Sequence, residues 1–292
     1  MLLADGGTLR RIDARTGFED PPLIRSDHEI LEAAISPDEK LVAFTTYPGS
    51  DCAGSCAGAD GGSLVVVDSQ TKRVQLELHA DDARFRDSLG SPGSVHWLSN
   101  SNFMLVMSRF SSSLGSAYLI DLPDGRSTKL PRTPLLVDGR SHVGVYVADP
   151  PKRVGCYDWA ALEAADLVTG AVLFSVGGAG SGLNPVEFSP DGREVLLAAT
   201  KWPPDTPVKC ADPPLESRLL LVAAATGATQ DVSDADALRR AWYGAAFLGW
   251  SCPPGLSDRR GNSSFSCNGA GELSLGGTVI PASSARVVTV AE

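Results

Sequence analysis

FSPDGREVLL, residues 188–197, is the stretch on which the fold turns. An apolar residue, then Ser-Pro-Asp-Gly, then an apolar run reads as a strand, a tight turn and a second strand. Proline presets φ for the turn, aspartate accepts backbone N–H bonds within it, and glycine permits positive φ. The same unit stands at residues 35–44, ISPDEKLVAF. WLSNSNFMLV (97–106) and VADPPKRVG (147–155) read as worn copies.

A second unit lies beyond each of these: a strand that runs into a turn. It is seen as TLRRIDARTG (8–17), SLVVVDSQTK (63–72), AYLIDLPDG (117–125), LEAADLVTG (162–170) and LLLVAAATG (219–227). Asp13, Asp68, Asp121 and Asp166 can accept local backbone bonds, and the closing glycine allows positive φ. These aspartates are 55, 53 and 45 residues apart, and the degenerate copy at Ala223 follows after 57. Such intervals suit a four-stranded blade with variable loops. Helical periodicity is scarce; SDADALRR (233–240) is the best candidate and makes about two turns.

The apolar-Ser-Pro-Asp-Gly turn, followed by an apolar strand and then a strand ending in Asp-x-x-Thr-Gly, resembles the WD40-like β-propeller repeat of the TolB type. The resemblance runs from about Thr8 to Gly227 and more weakly to Val290. It implies an all-β propeller and is nearly silent on function, because propellers host many unrelated tasks. With strands lettered a to d from the channel outward, Ser-Pro-Asp joins a to b and Asp-x-x-Thr-Gly joins c to d. Five c strands are visible, and ELSLGG (272–277) makes a sixth. The expectation is therefore a six-bladed β-propeller of four-stranded antiparallel blades, one domain over residues 1–292. MLLAD reads as strand b, so the first blade lacks its strand a. ARVVTVAE (285–292) can fill the gap, closing the ring and pairing the terminal edges, or it is strand d of the last blade.

Composition bounds the partners. The chain has 292 residues, 43% of them apolar and 21% charged, an ordinary globular balance. A net charge of −10 disfavours a phosphate-backbone binder, so no nucleic-acid partner is expected. No stretch approaches the ~20 apolar residues of a membrane span.

The six cysteines gain a pattern from the blade assignment. Cys52 and Cys56 fall in one b–c loop, Cys156 after another strand b, and Cys210 in a third b–c loop. Cys252 and Cys267 bracket the last strand b. All would lie on or near one face, which suggests by proximity the pairs Cys52–Cys56, Cys156–Cys210 and Cys252–Cys267, one of 15 connectivities. Free or partly buried thiols are the alternative. A Cys-x₃-Cys pair without a second pair or a His-x₃₋₅-His is a poor zinc site, so no metal or other cofactor is expected. Disulfide staples suit an oxidising compartment. MLLADGG has no basic or long apolar segment of a signal peptide. The expectation is thus an extracytoplasmic protein, periplasmic or secreted, whose export signal is missing from this chain, with the cytoplasm as the alternative.

No catalytic set stands out. GRSHVG (139–144) has its second glycine one residue too far for a nucleophile elbow, and GAGSG (178–182) precedes no phosphate-cradling helix. His28, His96 and His142 read as lying on or near d–a loops at the channel mouth. Tyr157, Trp159 and Trp202 fall in or beside b–c loops, and Trp242 and Tyr243 follow a d–a loop. Arg140, Arg239 and Arg240 can add polar anchors. Tyr and Trp bury much area for little entropy, which favours them at binding surfaces. The candidate binding residues are therefore His28, Arg140, His142, Tyr157, Trp159, Trp202, Arg240, Trp242 and Tyr243. The reading that follows is a non-enzymatic exported propeller whose long loops on one face bind a protein or peptide. The alternative is a lactonase-like propeller hydrolase with His28, His142 and Asp27 at the channel mouth.

Overall fold

A computed structural model describes residues 2–5, 7–11, 20–47, 62–79, 81–82, 91–108, 115–148, 153–154, 158–177, 181–189, 191–202, 215–232, 234, 238, 241–242, 250–251, 258–261, 264–267, 271–275, 278–282 and 286–289. The chain divides into two compact units, Met1–Thr133 with Ala245–Glu292, and Pro134–Gly244. Both are built from antiparallel sheets in a propeller arrangement, with successive blades packed face against face.

The first unit contains the 29–79 blade (Glu29–Ile35, Leu41–Tyr47, Ser63–Asp68, Val74–His79) and the 91–129 blade (Ser91–Trp97, Asn102–Ser108, Ser116–Asp121, Arg126–Lys129). The second contains the 136–177 blade (Leu136–Asp138, Val143–Val147, Ala161–Asp166, Val172–Gly177) and the 181–232 blade (Ser181–Phe188, Glu194–Lys201, Glu216–Ala223, Thr229–Val232). The structure thus shows four such blades and corrects the expected six. The C-terminal strands do not repeat the meander. ELSLGG contributes Gly271–Leu275 to a three-stranded sheet with Trp250–Ser251 and Thr278–Ala282. Asp258–Gly261 and Ser264–Cys267 extend a six-stranded sheet that also holds Leu2–Asp5, Thr8–Arg11, Ile24–Arg25 and Arg286–Thr289. In that terminal sheet Arg286–Thr289 pairs antiparallel with Leu2–Ala4, the N-to-C closure anticipated for ARVVTVAE.

The repeated turns explain why the blades form. Ser36 and Ser189 are buried, and each donates its hydroxyl to the aspartate two residues on, Asp38 at 2.8 Å and Asp191 at 2.7 Å. The same hydroxyls accept the N–H of Leu41 (3.0 Å) and Glu194 (2.9 Å), where strand b begins. One side chain thereby ties strand a to strand b. At the fifth position of the unit, Glu39 has φ 58° and Gly192 has φ 67°, so the first copy holds a non-glycine residue in the left-handed region. In the c–d turns Asp68 accepts the N–H of Gln70 and Thr71, and Asp166 that of Val168 and Thr169. These bonds stabilise the charged form, so Asp38, Asp68, Asp166 and Asp191 are all held below the usual carboxylate range.

The expected a–b copy VADPPKRVG is corrected. In that blade the a–b turn is residues 139–142, organised by Asp138, which accepts Ser141 N at 3.1 Å and the Ser141 hydroxyl. An Asp-Gly-x-Ser sequence makes the turn without proline. The helix expected at 233–240 is represented among the described residues by Leu238, whose N–H reaches Asp234 O at 3.2 Å, and by Ala241 and Trp242.

Three apolar layers hold the blades. Leu2, Leu9, Ile24, Val42, Phe44 and Val67 fill the space between the terminal sheet and the 29–79 blade. Leu64, Val66, Leu78, Trp97, Phe103 and Ile120 join that blade to the next. Trp97 is core as its strand-a position implies: it stacks 5.3 Å from Phe103 and donates its indole N–H to Ala34 O at 3.0 Å. In the second unit Val145, Trp159, Leu162, Leu183, Val195 and Val222 form a single core. Alternation along each strand makes this possible: Val65 and Val67 face one layer, Leu64 and Val66 the other.

Candidate binding groove

The outer strand of the terminal sheet, Ile24–Arg25, is only two residues long. Ile24 packs into the core shared with the 29–79 blade, and the Pro22–His28 segment faces the outer strands of that blade across an opening. The result is a groove of about 1090 Å³ in the first unit. Its floor is Phe44, Val65 and Val67, with Val74 at 51% exposure beside them. Arg25, Asp27, His28, Lys72, Glu77, His79 and Asp81 supply its ionisable groups.

Strand pairing orders these groups along the groove. Ser63 lies opposite His79, Val65 opposite Glu77, and Val67 opposite Val74. Glu29 pairs with Tyr47, so the start of strand a, the end of b, the start of c and the end of d share one end of the blade. His28 leads directly into Glu29 and stands at that end with His79. One end of the groove therefore carries Asp27, His28, His79 and Asp81; the other carries Val67 and Val74.

The Ser63 hydroxyl lies 2.8 Å from His79 Nδ1, and His79 Nε2 lies 3.7 Å from Glu77 Oε1. The second distance exceeds hydrogen-bonding range. Ser63 and His79 are direct cross-strand neighbours, a contact that antiparallel ladders make routinely. The contact orients the His79 ring.

The other expected residues take different positions within their own blades. Arg140 and His142 are not on a d–a loop. They lie on the a–b turn of the 136–177 blade, where His142 has φ 55° and its carbonyl accepts the N–H of Leu167 at 2.7 Å. That turn sits at the end of its blade opposite the d–a connection. His96 lies within strand Ser91–Trp97 and not on a loop. Trp159 is 9% exposed and belongs to the core, because its short strand, Asp158–Trp159, pairs with Leu183 on the edge of the 181–232 blade. Trp242 is half-buried and donates its indole N–H to Glu194 Oε2 at 3.1 Å. Tyr157, Arg240, Tyr243, Cys52, Cys56, Cys156, Cys210 and Cys252 lie outside the described residues, as does the side chain of Cys267.

Trp202, an expected binding residue, is half-buried and joins a polar centre around the buried Asp158, which was not among the expected site residues. Asp158 is 6% exposed; one carboxylate oxygen accepts from Asn184 Nδ2. The other accepts from the Thr200 hydroxyl and, at 2.8 Å, from Trp202 Nε1. Gly182 lies against the Asp158 side chain, where any Cβ would collide. Three donors satisfy the carboxylate, so the cluster anchors the Asp158–Trp159 strand to the blade. Among the described residues, no three His, Cys, Asp or Glu side chains converge as a metal-holding group.

Glu77 and Asp81 were also missed as site residues. VQLELHADD carries a signal: Leu76 and Leu78 alternate with Glu77 and His79, the pattern of an outer strand with one polar face.

No family model matches the chain, and no curated protein matches it. Among solved structures it is similar to the hydrazine synthase of Kuenenia stuttgartiensis, at 18% identity and TM-score 0.47, over 77% of this chain and 60% of that one. It is similar to the tricorn protease at 15% identity and TM-score 0.46, over 76% and 20%. It is also similar to the dihydro-heme d1 dehydrogenase NirN in complex with DHE, at 17% identity and TM-score 0.44, over 79% and 42%. The chain spans less than two thirds of the length of each of these three.

Proposed function

We propose that the protein is a non-enzymatic, exported β-propeller protein that binds a protein or peptide partner, and that the groove on the 29–79 blade is a contact site. The groove itself is the observation that supports this reading: an open depression of about 1090 Å³ lined by Phe44, Val65, Val67 and Val74 together with charged residues. Such a surface suits an extended segment laid along a sheet, where pockets for alternate side chains give specificity. The rigid blade beneath it keeps the entropic cost of binding low.

The test is selection from an immobilised random heptapeptide library with the full chain. Peptides retained by the wild type and lost with Val74→Arg support the groove. Retention of no peptide, or equal retention by both proteins, overturns it. The export part of the proposal rests on the cysteines. Mass measurement with and without reductant should show three disulfides in the natively isolated protein; six alkylatable thiols would overturn it.

A further inference from the structure

We propose that the groove takes an extended partner segment with an apolar and a cationic side chain about four residues apart. This rests on the groove being the binding site and adds the chemistry of its occupant. The two ends of the groove differ. Val67 and Val74 pair at one end, with Val74 at 51% exposure. Ser63 and His79 pair at the other, beside His28. Val67 and Ser63 are four residues apart on one strand, roughly 13 Å at 3.3 Å per residue. An extended peptide laid along the groove repeats at the same rise, so its positions i and i+4 project to the same side and reach the two ends.

Charge decides what sits at the polar end. Three carboxylates line the groove, Asp27, Glu77 and Asp81, of which Asp27 and Asp81 flank the histidine end. Against them stand Arg25 and Lys72. Lys72 closes the turn at the apolar end and its ammonium donates to Ser69 O, so it is directed away from the carboxylates. Glu77 has the His79 imidazole 3.7 Å away and no closer cation among the described residues. Arg25 alone then offsets the three carboxylates, so an arriving Lys or Arg side chain meets an excess of acceptors, whereas an acidic one meets net like charge. The apolar end offers Val74 and Val67 area to bury.

Three heptapeptide sub-libraries test this, each with Leu fixed at one position and all others random except the one four residues on. That position holds Lys or Arg, Glu, or Ser. Retention on the immobilised full chain should be about tenfold higher for the cationic set than for the Glu set. The preference should shrink several-fold in a Glu77→Gln, Asp81→Asn variant, which changes exposed side chains, and should fall as salt rises. Equal retention of the three sets, or preference for Glu, overturns the cationic assignment while leaving the groove as a peptide site. Retention of no set overturns both.

Discussion

Replacing Gly192 by alanine probes the turn unit that builds the blades. Gly192 has φ 67°, a conformation that costs an L-residue with a Cβ roughly 1–2 kcal/mol. It is also crowded. A Cβ there would run into the Asp138 carboxylate and come within 3.0 Å of the Ser141 hydroxyl. That carboxylate organises the neighbouring turn through Ser141 N at 3.1 Å and Arg140 N at 3.3 Å. Displacing it gives up bonds of about 1 kcal/mol each. The expected total loss for Gly192→Ala is about 3 kcal/mol. Gly170 supplies the control. Its φ is 71°, and a Cβ there meets nothing within 4 Å, so Gly170→Ala should lose only the conformational 1–2 kcal/mol or so. Glu39 supplies the converse. It occupies the equivalent turn position at φ 58°, and its carboxylate pairs with Arg11 at 2.9 Å on the exposed surface. Glu39→Gly relieves the backbone and forfeits a pair worth under about 1 kcal/mol, for a net gain of roughly 0.5 kcal/mol. Urea unfolding with unchanged m-value reads all three as midpoint shifts. Equal losses at Gly192 and Gly170, or a loss at Glu39→Gly comparable to theirs, would refute the reasoning.

The remaining predictions concern other parts of the molecule. Asp158→Ala removes the acceptor of Asn184 and one of the two acceptors of Thr200 and of Trp202, which keep Gly182 O and Thr200 Oγ1, and the chain should lose about 2 kcal/mol in denaturant titration. Peptide retention by the groove should be unchanged in that variant; lost retention without lost stability would make Asp158 a site residue and not an anchor. Trp97→Phe removes the indole N–H bond to the Ala34 carbonyl and should lower stability by about 1 kcal/mol, read by thermal unfolding. Stability should also fall in acid. Asp38, Asp68, Asp166 and Asp191 are held below their ordinary value when folded, so the unfolded chain binds more protons as pH drops. Their contribution is complete above the ordinary aspartate range near 3.9 and is lost as pH falls through the lower folded values. Acid titration of Asp166→Asn, which cannot protonate, should show a shallower decline below pH 4; an unchanged profile would count against the turn bonds as the cause.

Much of the local structure was legible because its causes are local. Ser36-Pro-Asp and Ser189-Pro-Asp close their turns with side chains two to five residues away, and Asp68 and Asp166 do the same for the c–d turns. The 223–227 turn survives without its aspartate: Gly227 still reaches Ala223 O at 2.8 Å. The 139–142 turn escaped the reading because Asp138 and Ser141 do the work of proline there, and with it went the placement of Arg140 and His142. Trp159 looked like a loop aromatic because nothing local reveals that its strand pairs with Leu183 in the next blade.

The candidate groove was less legible. His28 was singled out, but its companions Val65, Val74, Glu77 and Asp81 become a site only where the Pro22–His28 segment faces the outer strands of the 29–79 blade across an opening. By itself, the amino-acid sequence determined that the chain is all-β, where the blades begin, and which turns join their strands, since period-2 alternation and turn chemistry act over a few residues. Only tertiary structure decided that four blades complete the meander, that the terminal strands pair with each other, and that a groove stays open. Those outcomes depend on which sheet edges and faces meet, and such contacts join residues far apart in the chain.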